Sequence, residues 1–459
     1  MRRNEDFMNR TEYLESLTEQ IQNKHARQLV LKEITAHIED QKQACLLEGK
    51  TEAEAEETAV REMGDPIETG SKLDKIHRPK KDIWMLGAMV VLTLVGIIMQ
   101  SIICAGFGNE WIAGSYSSRT ILFNLAGFGL MFAVYFADYR LLGKYILPVY
   151  GVYLVLAVLV RNMPHYEYGN YLLFCQTVHI LFVPLFAAFC YAFRGEKGKG
   201  ILKALGLLLF NILFLLFTGS YLSATMFLSV AACLITLCAA AWKGVFGGRR
   251  KRQTGVLIAF TVGVPLLLLA DTLLFHGRIL HLAEYQIMRI RVLLNPDAYG
   301  AGYQTLLVRE QLSSASLFGG GSIGKAGELS GAWCDYVLIC LASYFGLLIA
   351  IAVVAAVCAF LVRSLHIAFL QSNRLGFLLG VACSSILMLK TIIYVAMNFG
   401  IGPMIGIDMP FLTYGLHCTL LNFLFMGIIL SVYRHTNLLP ELKKEAPRYR
   451  LKLEKAGRS

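Results

Sequence analysis

From residue 83 onward the sequence is a succession of apolar runs, each close to the ~20 residues that a helix needs to cross a hydrocarbon core. They fall at about 83–104, 119–137, 144–161, 171–192, 201–218, 222–242, 255–275, 336–362, 376–399 and 416–433. Backbone N–H and C=O groups find no water in lipid, so such runs bond internally as helices. The composition agrees: 56% of residues are hydrophobic and 16% charged, whereas a soluble domain carries about a quarter charged. The expected fold class is all-α, a polytopic membrane protein of about ten transmembrane helices.

The formal net charge of +11 raises the question of nucleic acid. No basic stripe interleaves with aromatics, so nucleic acid is not an expected partner. Lys and Arg gather instead in alternate loops: Arg140 and Lys144, then Arg194 to Lys203, Arg249 to Arg252, and Arg363 with Arg374. The tail from Arg434 to Lys455 is basic too, and the intervening short loops carry little positive charge. The positive-inside rule places both termini in the cytoplasm and the chain in the cytoplasmic membrane. The first 80 residues hold no apolar h-region, so no cleavable signal peptide is expected. The 11 cysteines include no CxxC pair and sit mostly inside apolar runs, which favours small buried side chains over a metal site or disulfide framework.

Residues 1–81 have a different character. Leu14, Leu17 and Ile21, then Leu31, Ile34 and Ile38, recur at helical spacing between charged positions. Thr51 and Glu54 form a capping-box start, and Met63-Gly64-Asp65-Pro66 reads as a stop. The pattern predicts a cytoplasmic three-helix domain with a basic linker from Lys75 to Lys81. Residues 82–435 form the membrane domain, with one large extracytoplasmic loop at 276–335, and residues 436–459 a basic cytoplasmic tail. The N-terminal segment resembles the permease prefix (HAAS) domain through Tyr13-Leu14, Ile21, Glu33, His37 to Asp40, Gly49, Glu54-Ala55 and Met63 to Pro66.

Loops as long as 276–335 tend to be functional. This one contains Tyr285 to Pro296, Gly300-Ala301-Gly302-Tyr303-Gln304 and Ser313 to Gly321. Its glycines allow backbone N–H groups to converge on an anion, and Arg289 and Arg291 have the geometry for phosphate contacts; a basic loop facing anionic membrane lipids is the other reading. Asp335 follows, directly before the eighth run. A partly desolvated carboxylate there has the raised pKa of a usable general base; an interfacial Asp solvated by headgroups is the alternative. Lys390, inside the ninth run, is an intramembrane cation, either functional or committed to a structural ion pair. Between Asn398 and Gly415 the helix breakers are dense (Gly400, Pro403, Gly406, Pro410), which marks irregular backbone at membrane depth. His179, His366 and His417 are scattered singly and read as core or interfacial residues. No P-loop or HExxH motif occurs.

Together these motifs resemble the shape, elongation, division and sporulation (SEDS) family. The run from Tyr285 to Asn295-Pro296, Gly302-Tyr303-Gln304, Ser314 and Leu317-Phe318-Gly319 follows the family's outer-loop pattern. Asp335 falls at the aspartate of its His-Thr-Asp-Phe motif. Asn398, Pro403, Gly406, Pro410 and Tyr414-Gly415 match its closing motif. The chain departs from the pattern at Ser330-Gly331 (Pro-Glu in the family), Trp333-Cys334 (His-Thr), Ser343-Tyr344 (an acidic pair), Ser220-Tyr221 (where an acid follows a proline) and Leu416-His417-Cys418 (small residues).

The resemblance implies a peptidoglycan glycosyltransferase that polymerises lipid II on the outer face of the membrane, usually with a class B penicillin-binding protein, in division, elongation or sporulation. Asp335 would be the general base. Arg289, Arg291 and Lys390 would hold the donor's pyrophosphate, and Gln304, Ser314 and Tyr414 join the substrate-binding set. No cofactor or metal ligand is assigned; a divalent cation is compatible with the reading. A lipid-linked precursor flippase and a non-catalytic scaffold of the division or elongation machinery remain the alternatives. For the topology, alkaline-phosphatase fusions after Gly300 should be active and fusions after Arg250 inactive; the reverse pattern would move Asp335 off the outer face.

Overall fold

The computed structural model describes residues 8–22, 24–76, 78–105, 110–161, 168–218, 223–274, 302–329, 331–402 and 404–436, with short pieces at 287–288, 291–292 and 295–296. Among these residues there are helices, turns and irregular segments, and no strand.

Four helices precede the membrane region: α1 (Arg10–Glu19), α2 (Lys24–Leu47), α3 (Glu52–Glu62) and α4 (Pro66–Ile76). The capping box forms as its spacing predicts, with Thr51 accepting the Glu54 N–H at 3.4 Å and Glu54 accepting the Thr51 N–H at 3.1 Å. The pattern predicts three helices, and the structure has a fourth. Met63 to Pro66 does end α3, but the same residues begin α4. Asp65 accepts the N–H groups of Ile67 and Glu68 at 3.3 and 3.2 Å, and Pro66 takes the first helical position, where no N–H is needed. Buried Asp74 then ties α4 to α1, accepting the Gln22 N–H at 2.9 Å and pairing with Arg78 at 2.7 Å. Tyr13, Leu17, Ile21, Val30, Ile38 and Val60 close a core distinct from that of the membrane region.

The membrane helices are α5 (Ile83–Ala105), α6 (Glu110–Phe136), the short α7 (Arg140–Lys144), α8 (Ile146–Arg161), α9 (Tyr168–Ala192), α10 (Gly198–Phe217), α11 (Ala224–Trp242) and α12 (Arg250–Leu274). After the loop helix α13 (Tyr303–Ser314) come α14 (Val337–Phe345), α15 (Leu347–Phe369), α16 (Arg374–Asn398) and α17 (Leu416–Arg434). Among the described residues, 8 helices are long and apolar enough to cross a membrane, and α8 and α12 occupy the other two expected runs.

The eighth run is the point of difference. Its 27 expected residues do not form one helix, because α14 and α15 meet at Gly346, whose φ is +98°. Both halves are apolar, so periodicity cannot show the break. The loop can: Ser316 O accepts the Leu347 N–H at 3.1 Å, and the Gly321 N–H reaches Tyr344 O at 3.1 Å. The turn from Leu317 to Gly319 is thus seated in the break, so close that a Cβ on Gly346 would collide with the Leu317 carbonyl.

Helix α16 forms the axis of the bundle, packed by α9, α11, α15 and α17. Its apolar window is 72% buried, against 28% for α10 on the rim, so its side chains face protein and those of α10 largely face lipid. This explains where the polar residues of α16 can go: Lys390, Thr391, Tyr394 and Asn398 all point into protein near one end. At the opposite end Asp82 pairs with Arg363 at 2.9 Å, and the Lys80 N–H reaches Arg434 O at 3.2 Å, fastening the linker to the bundle.

Gly346→Ala should cost about 1–3 kcal/mol, since it forces a left-handed φ and a backbone collision together. Thermal unfolding of the solubilised protein should show a clear fall in Tm. Gly87→Ala in α5, where a Cβ meets open space, should leave it unchanged or slightly raised.

Candidate active site

The segment from Leu329 to Tyr336 leaves the loop and enters α14 as a tight turn, closed by the Asp335 N–H on Gly331 O at 2.7 Å. Gly331 has φ +82°, and a Cβ there would come 2.9 Å from Asp335 Oδ2. A glycine at this position therefore lets the turn close over the carboxylate.

The carbonyls of Trp333, Cys334 and Asp335 each have a donor from another element. Gln100 of α5, 1% exposed, spans two irregular segments, donating from Nε2 to Trp333 O at 2.8 Å and to Leu412 O at 3.0 Å. Tyr394 of α16 donates its hydroxyl to Cys334 O at 3.2 Å and accepts the Val337 N–H at 3.1 Å. Asn398, one turn further, donates to Asp335 O at 2.9 Å and accepts the Ile339 N–H at 3.2 Å. The Tyr414 N–H reaches Trp333 O at 3.3 Å, while the Cys334 thiol donates to Tyr414 O at 3.2 Å. This meshwork is what irregular backbone packed among membrane helices requires.

The Asp335 carboxylate itself faces the 399–415 segment. The Ile407 N–H hydrogen-bonds to it, and Asp408 is its nearest charged neighbour. Burial first, and the Asp408 charge second, push its pKa up to about 7, against the smaller opposing pull of the Ile407 N–H. A half-buried carboxylate in that range is ionised for a substantial fraction of the time at neutral pH and basic enough to take a proton.

The structure brings some of the expected site residues together and leaves others apart. Gln304 on α13 is half-buried and accepts the Tyr336 hydroxyl at 3.1 Å, which places it beside the Asp335 turn. Tyr414 lies against Tyr116 of α6, ring centroids 5.0 Å apart, and its hydroxyl bonds to Arg119. Ser314 is exposed and bonds only to Gln311 O at 3.1 Å, closing its own helix. Arg291 is exposed, and Arg289 lies outside the described residues.

Lys390 needs a correction. Expected to reach a pyrophosphate, it is instead 1% exposed, with Nζ 2.6 Å from Asp408 Oδ2 and 3.1 Å from Asn422 Oδ1. Asn422 Nδ2 also donates to Asp408 Oδ2 at 2.9 Å. Burial works to raise the Asp408 pKa, but the Lys390 charge and the two donors outweigh it and hold the carboxyl below its ordinary range. The ammonium therefore has an internal counter-ion, as burial demands.

Three residues that the motif reading did not single out belong to this end of the bundle: Gln100, Arg119 and Asp408. Gln100 is the one amide side chain in the apolar run of α5, a signal visible in the sequence. Arg119 stands at the start of the second run, where it reads as a boundary. Asp408 and Lys390 are 18 residues apart, with the end of α16 and irregular chain between them, so their pairing has no periodic signature. A cleft of about 630 Å³ opens between the end of α5 and residues 321–328, lined by Ile102, Ile103, Ser322 and Tyr344 among others; no expected site residue lines it. Among the described residues no group of His, Cys, Asp and Glu side chains is arranged to hold a metal ion.

Comparisons with known proteins agree with this architecture. The probable peptidoglycan glycosyltransferase FtsW of Trichlorobacter lovleyi is 23% identical over 396 residues, 80% of this chain and 96% of the relative. Stage V sporulation protein E of Bacillus subtilis is 25% identical over 377 residues, 77% of this chain and 97% of the relative. Among solved structures, one describing the coordination of polymerization and crosslinking by a peptidoglycan synthase complex aligns with TM-score 0.58 at 17% identity, over 77% of this chain and 98% of that one. The rod shape determining protein RodA of Thermus thermophilus aligns with TM-score 0.51 at 15% identity, over 77% and 97% of the two chains. The family model described as cell cycle protein, FtsW/RodA/SpoVE, matches residues 80–438, and the chain belongs to that family.

Proposed function

We propose that this multi-pass membrane protein is a peptidoglycan glycosyltransferase that polymerises lipid II at the outer face of the cytoplasmic membrane. The relatives named as peptidoglycan glycosyltransferases support the reaction class. The single observation that carries the mechanism is Asp335: a half-buried carboxylate with its pKa raised to about 7, its backbone held by Tyr394 and Asn398.

In this reading Asp335 takes the proton from the acceptor sugar hydroxyl as that oxygen attacks the donor's anomeric carbon. The glycosidic bond forms, the bond to the pyrophosphate oxygen breaks, and the polyprenyl pyrophosphate leaves with its electron pair. The chain's contribution is a base of matched strength in a fixed position. Countercharge for the leaving pyrophosphate would come from Arg119, exposed beside Tyr414, and from Arg291 on the loop. Lys390 would act at one remove, through Asp408. The basic loops at 194–203 and 249–252 support a cytoplasmic placement of the other end, and hence an outer placement of Asp335. A class B penicillin-binding protein is the proposed partner, supported by the similarity to a polymerising and crosslinking synthase complex.

Asp335→Asn keeps size and hydrogen bonding but removes the base. Lipid II polymerisation by the purified protein, with its penicillin-binding partner, should fall by at least ~10²-fold at unchanged membrane expression. Wild-type activity should climb as pH rises through about 7, because only the ionised carboxylate accepts a proton, and level off above it. Equal activity in Asp335→Asn would refute the base. Wild-type lipid translocation without polymerisation, unaffected by the substitution, would mark a flippase.

A further inference from the structure

The Lys390–Asp408–Asn422 cluster joins three elements: α16, the irregular 399–415 segment and α17. Both of its bonds to Asp408 use one carboxylate oxygen, Oδ2, at 2.6 Å from Lys390 and 2.9 Å from Asn422. Asp408 is 17% exposed at its side chain, while Lys390 is 1% exposed. Asp408 is thus the more exposed member of the pair and Lys390 the enclosed one.

Its neighbours in sequence are the ones that meet Asp335. Ile407, adjacent to Asp408, donates its N–H to the Asp335 carboxylate. A Cβ on Gly406 would lie 3.8 and 3.9 Å from the two Asp335 carboxylate oxygens, so the main chain there runs along the carboxylate's flank. The irregular segment is thus pinned one residue away from its contact with the proposed base.

The energetics of ion pairs make this arrangement informative. Two buried charges gain little net stability over an apolar pair of the same shape, because desolvation cancels most of the attraction. An ion pair kept at the bundle axis, beside the proposed base, has an effect that an apolar pair lacks: it fixes a negative charge. Around Asp335 the other ionisable groups are Cys334 and Tyr336 on its own turn and Tyr394 on α16, while His417 on α17 lies by Asp408 and Lys390. Thiols and phenols are ordinarily neutral at neutral pH, so Asp408 is the carboxylate that supplies negative charge there.

We propose that Asp408, anchored by Lys390 and Asn422, is a positioning residue for Asp335: it holds the Ile407 N–H on the Asp335 carboxylate and places a fixed negative charge beside it. The role in catalysis rests on the glycosyltransferase reading, but the coupling of the two carboxylates does not. Asp408 touches no substrate in this scheme. It acts by making Asp335 a stronger base than burial alone would, and Lys390 keeps Asp408 ionised while it does so.

The test reads the protonation of Asp335 directly. Dicyclohexylcarbodiimide modifies protonated carboxyl groups in membrane proteins, so labelling of the Asp335 peptide can be followed by mass spectrometry from pH 5 to 9 on the purified full-length protein. Asp335→Asn serves as the blank. Wild type should lose labelling with a midpoint near 7. Asp408→Asn should move that midpoint down by about one pH unit, since the like charge that is removed acts more strongly on the carboxylate than the Ile407 N–H that Asp408 also positions. Asp408→Glu should restore it. Because Asp408→Asn strands a buried ammonium and risks misfolding, the paired change Lys390→Met with Asp408→Leu is the second arm. It should keep the wild-type Tm while still lowering the midpoint, which a purely structural ion pair would not do.

The acid limb of lipid II polymerisation should follow the labelling midpoint in each variant. An unchanged midpoint in both Asp408→Asn and the paired variant would overturn the proposal, even with the polymerase reading intact. A shifted midpoint in a protein that does not polymerise lipid II would uphold the coupling and sink the polymerase reading instead.

Discussion

Backbone that leaves helical geometry inside a membrane bundle must find all of its hydrogen-bond partners within the protein. Two such stretches, the 329–336 turn and the 399–415 segment, meet at one end of this molecule, and the arrangement there follows from that requirement. Gln100 bridges both stretches with a single amide. Tyr394 and Asn398 stand one helical turn apart on α16, so their polar ends rise in step along the turn and take its successive carbonyls. A helix can carry such residues only where they face protein, and α16 is packed by four neighbours with Lys390, Tyr394 and Asn398 all buried.

The same clamp accounts for how the turn accommodates its departures from the family pattern. Its shape is set by bonds to main-chain oxygens at positions 333, 334 and 335, which any side chain leaves in place. The substituted side chains find uses of their own. Trp333 packs near Tyr116, at 6.2 Å between ring centroids, and Cys334 donates to the Tyr414 carbonyl. Gly331 permits the left-handed step that brings the turn over Asp335.

Charge at this end divides by depth. Lys390 and Asp408, inside, hold each other ionised, because an unpaired ammonium in a low-dielectric interior is too costly to keep. Arg119 and Arg291, at the surface, keep their charge toward solvent. A polyanionic substrate would meet the second group, and the first would reach it only through the electrostatics of Asp335. Arg309 contributes structurally, donating from Nε to Gly400 O at 3.0 Å and tying α13 to the irregular segment.

Much of this was legible in the residues themselves. Ten apolar runs of membrane-spanning length determined the helical membrane fold, because lipid leaves a continuous apolar run no other way to satisfy its backbone, and Thr51 with Glu54 marked a helix start by a strictly local chemistry. The density of helix breakers after Asn398 located the irregular backbone, and Asp335 stood out as a carboxylate at the edge of a run. Pattern reading failed where two meanings share one pattern. Asp65-Pro66 both ends a helix and starts another, and the apolar stretch across Gly346 looks continuous although a loop is seated in its middle. Whether Lys390 was a ligand for substrate or half of an ion pair depended on where Asp408 and Asn422 came to rest, 18 and 32 residues away. Local chemistry specifies helices, caps and breaks because its partners lie within a few residues; the partner of a buried charge is chosen by packing over the whole bundle, and only the tertiary structure decides it.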